Sequence, residues 1–269
     1  MSVAKFIDSS VRVKQLSRVS CGPNCSSIIK GESYVVKKGG AIHNKGELIF
    51  QEDAFFMGCS STVDRTLSEL SRGGAISNSG SGVIHFKGDL TMEDNFAGGY
   101  FYGQGGAIYN RGDIVVDGDA VLYDNSASDG GGIYQEKWGS FETNGMANFT
   151  DNYVYEYRGG GICNLGGVVN MNAGSVFHNN VAECGGECGS GGAIYNEDGG
   201  VVTLAGPTIF SENGASFGGG AIFNQEVSGS NSQEDYEIPV ITLPDDVVFL
   251  NNTAMCGADI YNGNYSTCT

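Results

Sequence analysis

Proline is scarce, at 4 of 269 residues, tryptophan occurs once and histidine three times. Positive charge runs out along the chain: from residue 159 onward there is no Lys or Arg, against twelve Asp and Glu, and the formal net charge is −17. Such a flank argues against a nucleic-acid partner, whose phosphates call for a basic stripe. No stretch approaches the roughly 18 consecutive apolar residues of a membrane helix, so no transmembrane segment is expected. No segment sustains a 3.6-residue helical period either. The first residues lack the apolar core of a secretory leader, so the sequence reads as a mature or shortened form of a secreted or cell-surface chain, or as one not secreted at all. There is no nucleophile elbow, no phosphate loop and no dinucleotide fingerprint in a strand–helix context. An enzyme is therefore not the first expectation.

Glycine, by contrast, is abundant, with 44 residues, and it is ordered rather than scattered. Gly39-Gly40-Ala41-Ile42-His43-Asn44 returns as Gly73–Asn78, Gly105–Asn110, Gly191–Asn196 and Gly219–Asn224, and in drifted form around Ile133, Ile162 and Ile260. A recurrence at about thirty residues is the mark of a repeat architecture. A second spacing fixes the register. An apolar residue is followed eight places later by another in Leu48/Phe56, Ile84/Met92, Ile114/Leu122, Phe141/Phe149, Val169/Phe177, Val202/Phe210 and Ile241/Phe249. Three residues after the second member stands Asn95, Asn125, Asn152, Asn180, Asn213 or Asn252, with Cys59 in the first copy.

Short runs rich in Val, Ile and aromatics, broken by Gly, read as three strands per unit. Wound around an axis, each strand pairs in parallel with its equivalent one coil away, at about 4.8 Å. The expected fold is all-β, a right-handed parallel β-helix (solenoid) of about seven to eight coils. Residues 1–37 differ in character and read as an N-terminal cap, with residues 38–269 as the β-helix domain. Stacking should align Ile42, Ile76, Ile108, Ile133, Ile162, Ile194, Ile222 and Ile260 in one internal column. The Asn residues at 44, 78, 110, 164, 196, 224 and 262 should form a polar column, which Gln135 interrupts. Chain length varies mainly at one corner, with long excursions near 57–72, 96–104 and 181–190.

The paired Gly-Gly-Ala-Ile and Phe-x-x-Asn motifs, such as Gly191–Ile194 with Phe177–Asn180 and Gly219–Ile222 with Phe210–Asn213, resemble the repeat of the polymorphic outer-membrane proteins, chlamydial autotransporter adhesins. Residues 39–262 carry the pattern. The resemblance implies a β-helical passenger domain with a structural or adhesive role, binding a protein or glycan at a cell surface. The alternative is a polysaccharide lyase or glycoside hydrolase acting on acidic sugars. Its basic partner would have to be Arg72, Lys87, Arg111, Lys137 or Arg158.

Two columns are candidate sites. The residue after each signature Ile should point outward by strand alternation, which offers Tyr109, Tyr134, Tyr195, Phe223 and Tyr261 as rings for a sugar or protein ligand; the favoured alternative is that these rings pack on one another along parallel strands or are covered by the long corner loops. The second column stands two residues beyond the third-strand apolar point and includes Asp94, Asp124 and Asp151. Carboxylates on successive coils at strand spacing repel. Three readings are open for them: each bonds its own turn, together they hold Ca²⁺, or they are catalytic. The turn reading, with no cofactor, is the expectation. Of the eight Cys, Cys184–Cys188 and Cys21–Cys25 are expected to pair locally and Cys256–Cys268 to close the C-terminal end. Cys59 and Cys163 are expected to remain thiols, in an oxidising compartment.

Overall fold

The computed structural model describes residues 40–63, 70–99, 102–185, 188–225 and 237–263. The expected cap, residues 1–37, and the Cys21–Cys25 pair lie outside the described residues. The described chain is a parallel β-solenoid without helix. One coil runs from a signature strand such as Ile108–Asn110 to Asp113–Val116 and then Ala120–Tyr123. It then passes through the short strand Ser126–Ala127 before the next signature. Among the described residues the signature sheet has eight strands, the next two sheets seven each and the fourth six.

The fourth sheet corrects the expectation of three strands per coil. Its members are mostly two residues long, and Ser126–Ala127, Val181–Ala182 and Gly214–Ala215 are too short and too small to leave a periodic signal.

The expected register is the observed one. Ile42, Ile76, Ile108, Ile133, Ile162, Ile194, Ile222 and Ile260 are successive parallel partners. The two eight-apart points form two more internal columns. In one of them Phe149, Phe177, Phe210 and Phe249 stack ring on ring, with centroids 5.0, 4.8 and 5.1 Å apart. Each buried Phe contributes roughly 1.5–3 kcal/mol of transfer free energy, and offset stacking adds about 0.5–1.5 kcal/mol per pair.

The signature glycines have separable tasks. Gly105 sits at φ +71, and a Cβ there would lie 2.0 Å from the Ile108 carbonyl oxygen. Gly106 is where coils touch: a Cβ would lie 2.0 Å from the Gly131 carbonyl oxygen of the next coil. The first glycine makes the bend, and the second lets the coils approach.

Two amide ladders run along the stack. In the first, Nδ2 of Asn44 and Asn78 donates to Oδ1 of the next Asn at 2.9 Å, and Asn164 and Asn196 do the same at 2.8 and 2.9 Å. Gln135 accepts from Asn110 at 2.8 Å, but its own amide turns to the Glu136 carbonyl at 3.1 Å. The longer side chain thus continues the ladder on one side and breaks it on the other. The second ladder is unbroken from Asn95 through Asn125, Asn152, Asn180 and Asn213 to Asn252, at 2.8–3.0 Å. These amides are buried, so each bond spares the cost of an orphaned polar group. They hold the register while coil length varies from 25 to 39 residues.

Candidate functional site

The residues after the signature Ile do point away from the main core, as strand alternation requires, but they are not open to solvent. Tyr109, Tyr134, Cys163, Tyr195 and Phe223 are buried with Phe217 in a second apolar cluster, and Tyr261 is partly buried against it. Tyr109 stacks on Tyr134 at 5.7 Å and Tyr195 on Phe223 at 5.4 Å. Of the two readings of these rings, exposure for a ligand is therefore corrected and the favoured one is observed: they pack on one another and are covered, with Phe217 of one excursion packed on them. Burial, reinforced by the hydrogen bond from Tyr109 to Glu136, pushes the Tyr109 hydroxyl well above its ordinary value. Burial does the same at Tyr134.

A charged cluster pins this cover in place. The Arg158 guanidinium lies 4.9 Å over the Tyr195 ring. It donates to Glu197 at 2.8 Å and to Asp129 at 3.4 Å, thereby joining three coils. Asp129 is buried, and the long contact with Arg158 does not offset its desolvation, so its carboxyl is raised to about 6. Cys163 is a buried free thiol, pushed well above its ordinary value by burial. Arg72 similarly covers Tyr109 at 4.8 Å.

The outer surface of the excursions carries a group of exposed and half-buried aromatics. In Tyr153-Val154-Tyr155-Glu156-Tyr157 a two-residue strand, Tyr153–Val154, is followed by bends beside the preceding coil, with Tyr153, Tyr155 and Tyr157 N–H groups donating to the Asn125, Ala127 and Ser128 carbonyls. Val154 is buried, Tyr153 and Glu156 are exposed, and Tyr155 and Tyr157 are half-buried. Tyr157 meets Tyr102 of the excursion two coils back at 5.1 Å, and their hydrogen bond, followed by burial, pushes the Tyr157 hydroxyl up to about 12. Tyr155 packs on Phe96 at 6.4 Å, and Tyr153 donates to Glu183 at 2.8 Å. Tyr102 is 45 % exposed and Tyr153 37 %. Sequence reasoning did not single out this face, although the Tyr-x-Tyr-x-Tyr alternation is its signal.

At another corner, every described member of the Asp94/Asp124/Asp151 column has a left-handed backbone, with φ of 51, 53 and 55. Gly58, Asn179, Glu212 and Asn251 share it, at φ 62, 51, 58 and 55. Asp, Asn and Gly are the residues that tolerate this conformation best, which accounts for every member of the column but Glu212. Burial, then the neighbouring Asp94 and Asp151 charges, raise the Asp124 carboxyl. Asn179 donates to Asp151 at 2.6 Å. Among the described residues no three His, Cys, Asp or Glu side chains are grouped as ligands of one ion would be. The basic residues that a lyase would need have other contacts: Lys87 with Asp117 at 3.0 Å, Arg111 with Glu136 at 3.6 Å, and Arg158 and Arg72 as above. None of these contacts is to Asp94, Asp124 or Asp151.

The Cys184–Cys188 disulfide forms as expected, at a Cα separation of 5.8 Å, within an excursion. Cys256 is also disulfide-bonded, and Cys268 lies outside the described residues. Cys59 corrects the reading: it is disulfide-bonded, not a thiol. It stands at the first rung of the second ladder, where its N–H donates to Asn95 at 3.0 Å.

Three segments, residues 89–111, 174–197 and 207–225, match the family model of the Chlamydia polymorphic membrane protein repeat. Each runs from the third strand through the left-handed corner and its ladder Asn, across the excursion, to the Gly-Gly-Ala-Ile strand. The chain therefore carries this repeat, matched over about a quarter of its length. No curated protein and no solved structure matches the chain.

Proposed function

We propose that this solenoid, built on the repeat of the Chlamydia polymorphic membrane proteins, is a non-catalytic binding module displayed at a cell surface, and that its excursion corner takes a protein partner. The observation that carries the reading is the face formed by Tyr102, Tyr153, Tyr155 and Tyr157 with Phe96. Tyrosine supplies large contact area with few rotatable bonds, and is therefore enriched where partners dock. Here the tyrosines stand on loops held by a rigid stack, the usual placement of recognition residues. Glu156 and Glu183 border them, and no Lys or Arg follows residue 158. The face thus complements a partner surface that presents Lys or Arg, whose cations pair with the carboxylates and the ring faces.

The column Tyr109, Tyr134, Tyr195, Phe223 and Tyr261 serves this reading from beneath, as the packing on which the excursions rest. The disulfide within one excursion fits an oxidising, extracellular setting. The test is retention of the purified chain on intact cells and on cells shaved with protease, beside assays of polysaccharide cleavage. Retention lost on shaving, without cleavage, supports the proposal. Cleavage of an acidic polysaccharide, or retention indifferent to shaving, contradicts it.

A further inference from the structure

Trp138, the chain's one tryptophan, combines two unfavourable features at one position: its side chain is 76 % exposed, and its backbone is left-handed at φ +68. The corresponding corner of the next coil is occupied by Gly166 at φ +75, and the one beyond by Asp198 and Gly199 at φ +55 and +74. The fold therefore asks for glycine or a small polar residue here, and a bulky indole is strained there without being buried. Strain at an exposed aromatic, on a rigid corner far from any core, is the pattern expected of a residue kept for contact with a ligand.

The surroundings say which ligand. The Arg111 guanidinium lies 5.8 Å from the indole ring and the Lys137 ammonium 5.9 Å. Both lie over the ring at the outer limit of cation–π contact, loosely rather than clamped on its face. Arg111 is about half exposed and its ion pair with Glu136 is long, at 3.6 Å, so its outer N–H groups remain available to a second acceptor. Glycine lowers the corner on either side: a Cβ on Gly80 would touch the Arg111 stem at 3.8 Å, and one on Gly166 would press on the Lys137 stem at 3.1 Å. A flat aromatic face between two cations is complementary to a ring that is apolar on one side and carries an anionic group at its edge.

We infer that the Trp138 corner is a binding site for an acidic saccharide, a pyranose bearing a carboxylate or sulfate. The indole buries the C–H face of the sugar, and Arg111 and Lys137 pair with its anionic group, Arg111 through the planar donor fork that suits an oxyanion. The net charge of −17 disfavours a long polyanion and favours a short ligand seated within a Debye length of the two cations. An anionic bilayer is the competing occupant. It fits less well, because the side chains that stand with the indole are the two cations and no second apolar anchor. The site is separate from the tyrosine face and does not rest on the function proposed for it.

Because there is one tryptophan, its emission reports on this corner alone. The full chain is titrated with a galacturonate trisaccharide, with the neutral galactose trisaccharide, and with vesicles containing phosphatidylserine. The inference predicts a saturable change in emission with the acidic sugar and binding weaker by roughly tenfold or more for the neutral one, the worth of a charge-assisted contact. It also predicts a loss of similar size in the Arg111→Gln, Lys137→Gln double variant, and weakening by salt. Trp138→Gly should bind no acidic sugar by calorimetry while its Tm holds or rises. Equal response to both sugars, no response to either, a response confined to vesicles, or a fall in the Tm of Trp138→Gly would each overturn it.

Discussion

The side-chain amide of Asn152 donates to Asn180 Oδ1 in the next coil and to the Leu122 carbonyl in the preceding one, both at 2.9 Å. Its own Oδ1 accepts from the Asn125 side chain at 3.0 Å and the Asn125 backbone at 3.2 Å. One buried residue thus ties three coils. The same relationship repeats along the ladder, so the left-handed corner that precedes each rung is held in one position whatever the length of the excursion that follows.

Asn152→Ala removes all four bonds and leaves buried groups without partners, so it should cost about 2–4 kcal/mol. Asn172→Ala, which deletes exposed bonds to Glu142 and Asn144, should stay within about 0.5 kcal/mol. Equilibrium unfolding of the two variants checks this. Equal losses would mean that the buried ladder has no special role.

The pH dependence of stability should report on Asp129. Its folded value, about 6, lies above the ordinary 3.8 because burial outweighs the contact with Arg158. The folded chain then holds a proton that the unfolded chain releases. Stability from this group is full below about pH 3.8 and is lost as pH rises through 6, by an amount on the order of 3 kcal/mol. Asp117 acts in the opposite sense and at lower pH, since hydrogen bonds from His85 and Lys87 hold it at about 2. Between pH 4 and 6.5 the Tm of wild type should therefore fall relative to that of Asp129→Asn. Parallel profiles would contradict the assignment.

Cys163 should resist thiol reagents in the native chain and react once the chain unfolds, because it is buried and its burial disfavours the thiolate. Mass spectrometry of alkylated protein, native against denatured, gives the answer. Labelling in the native state would show that the excursions open readily over the signature sheet.

Much of this fold was legible in the sequence, because stacking converts sequence spacing directly into spatial columns. The eight-residue interval between points such as Phe141 and Phe149 fixed two internal columns, and the signature Ile a third. Alternation also gave the direction of Tyr109 and Tyr195 correctly. What alternation does not contain is the cover: whether an outward residue meets solvent depends on where variable excursions fold, and those have no repeat. The Tyr153–Tyr157 face was missed for the same reason. The left-handed corner was visible only as a column composed mostly of Asp, Asn and Gly, the residues that tolerate its backbone conformation best.

Asp124→Asn keeps a residue that tolerates the left-handed corner and removes one of three neighbouring charges. Its stability should stay within about 0.5 kcal/mol of wild type. Chelation by EDTA should leave the Tm of both unchanged. A drop on chelation in wild type that Asp124→Asn lacks would instead assign Ca²⁺ to the Asp94/Asp124/Asp151 column, since a ligand bound only to the folded state stabilises it.

The central claim is that the excursion tyrosines form the binding face of a rigid stack. The most direct measurement is retention on intact cells of a Tyr102→Ser, Tyr153→Ser, Tyr157→Ser variant, beside a control altered on the third sheet at Val121→Ser and Val176→Ser. The account predicts that the tyrosine variant loses roughly tenfold or more in apparent affinity, as loss of docking aromatics does, with its Tm near that of wild type, while the control binds normally. Full retention by the folded tyrosine variant would contradict it.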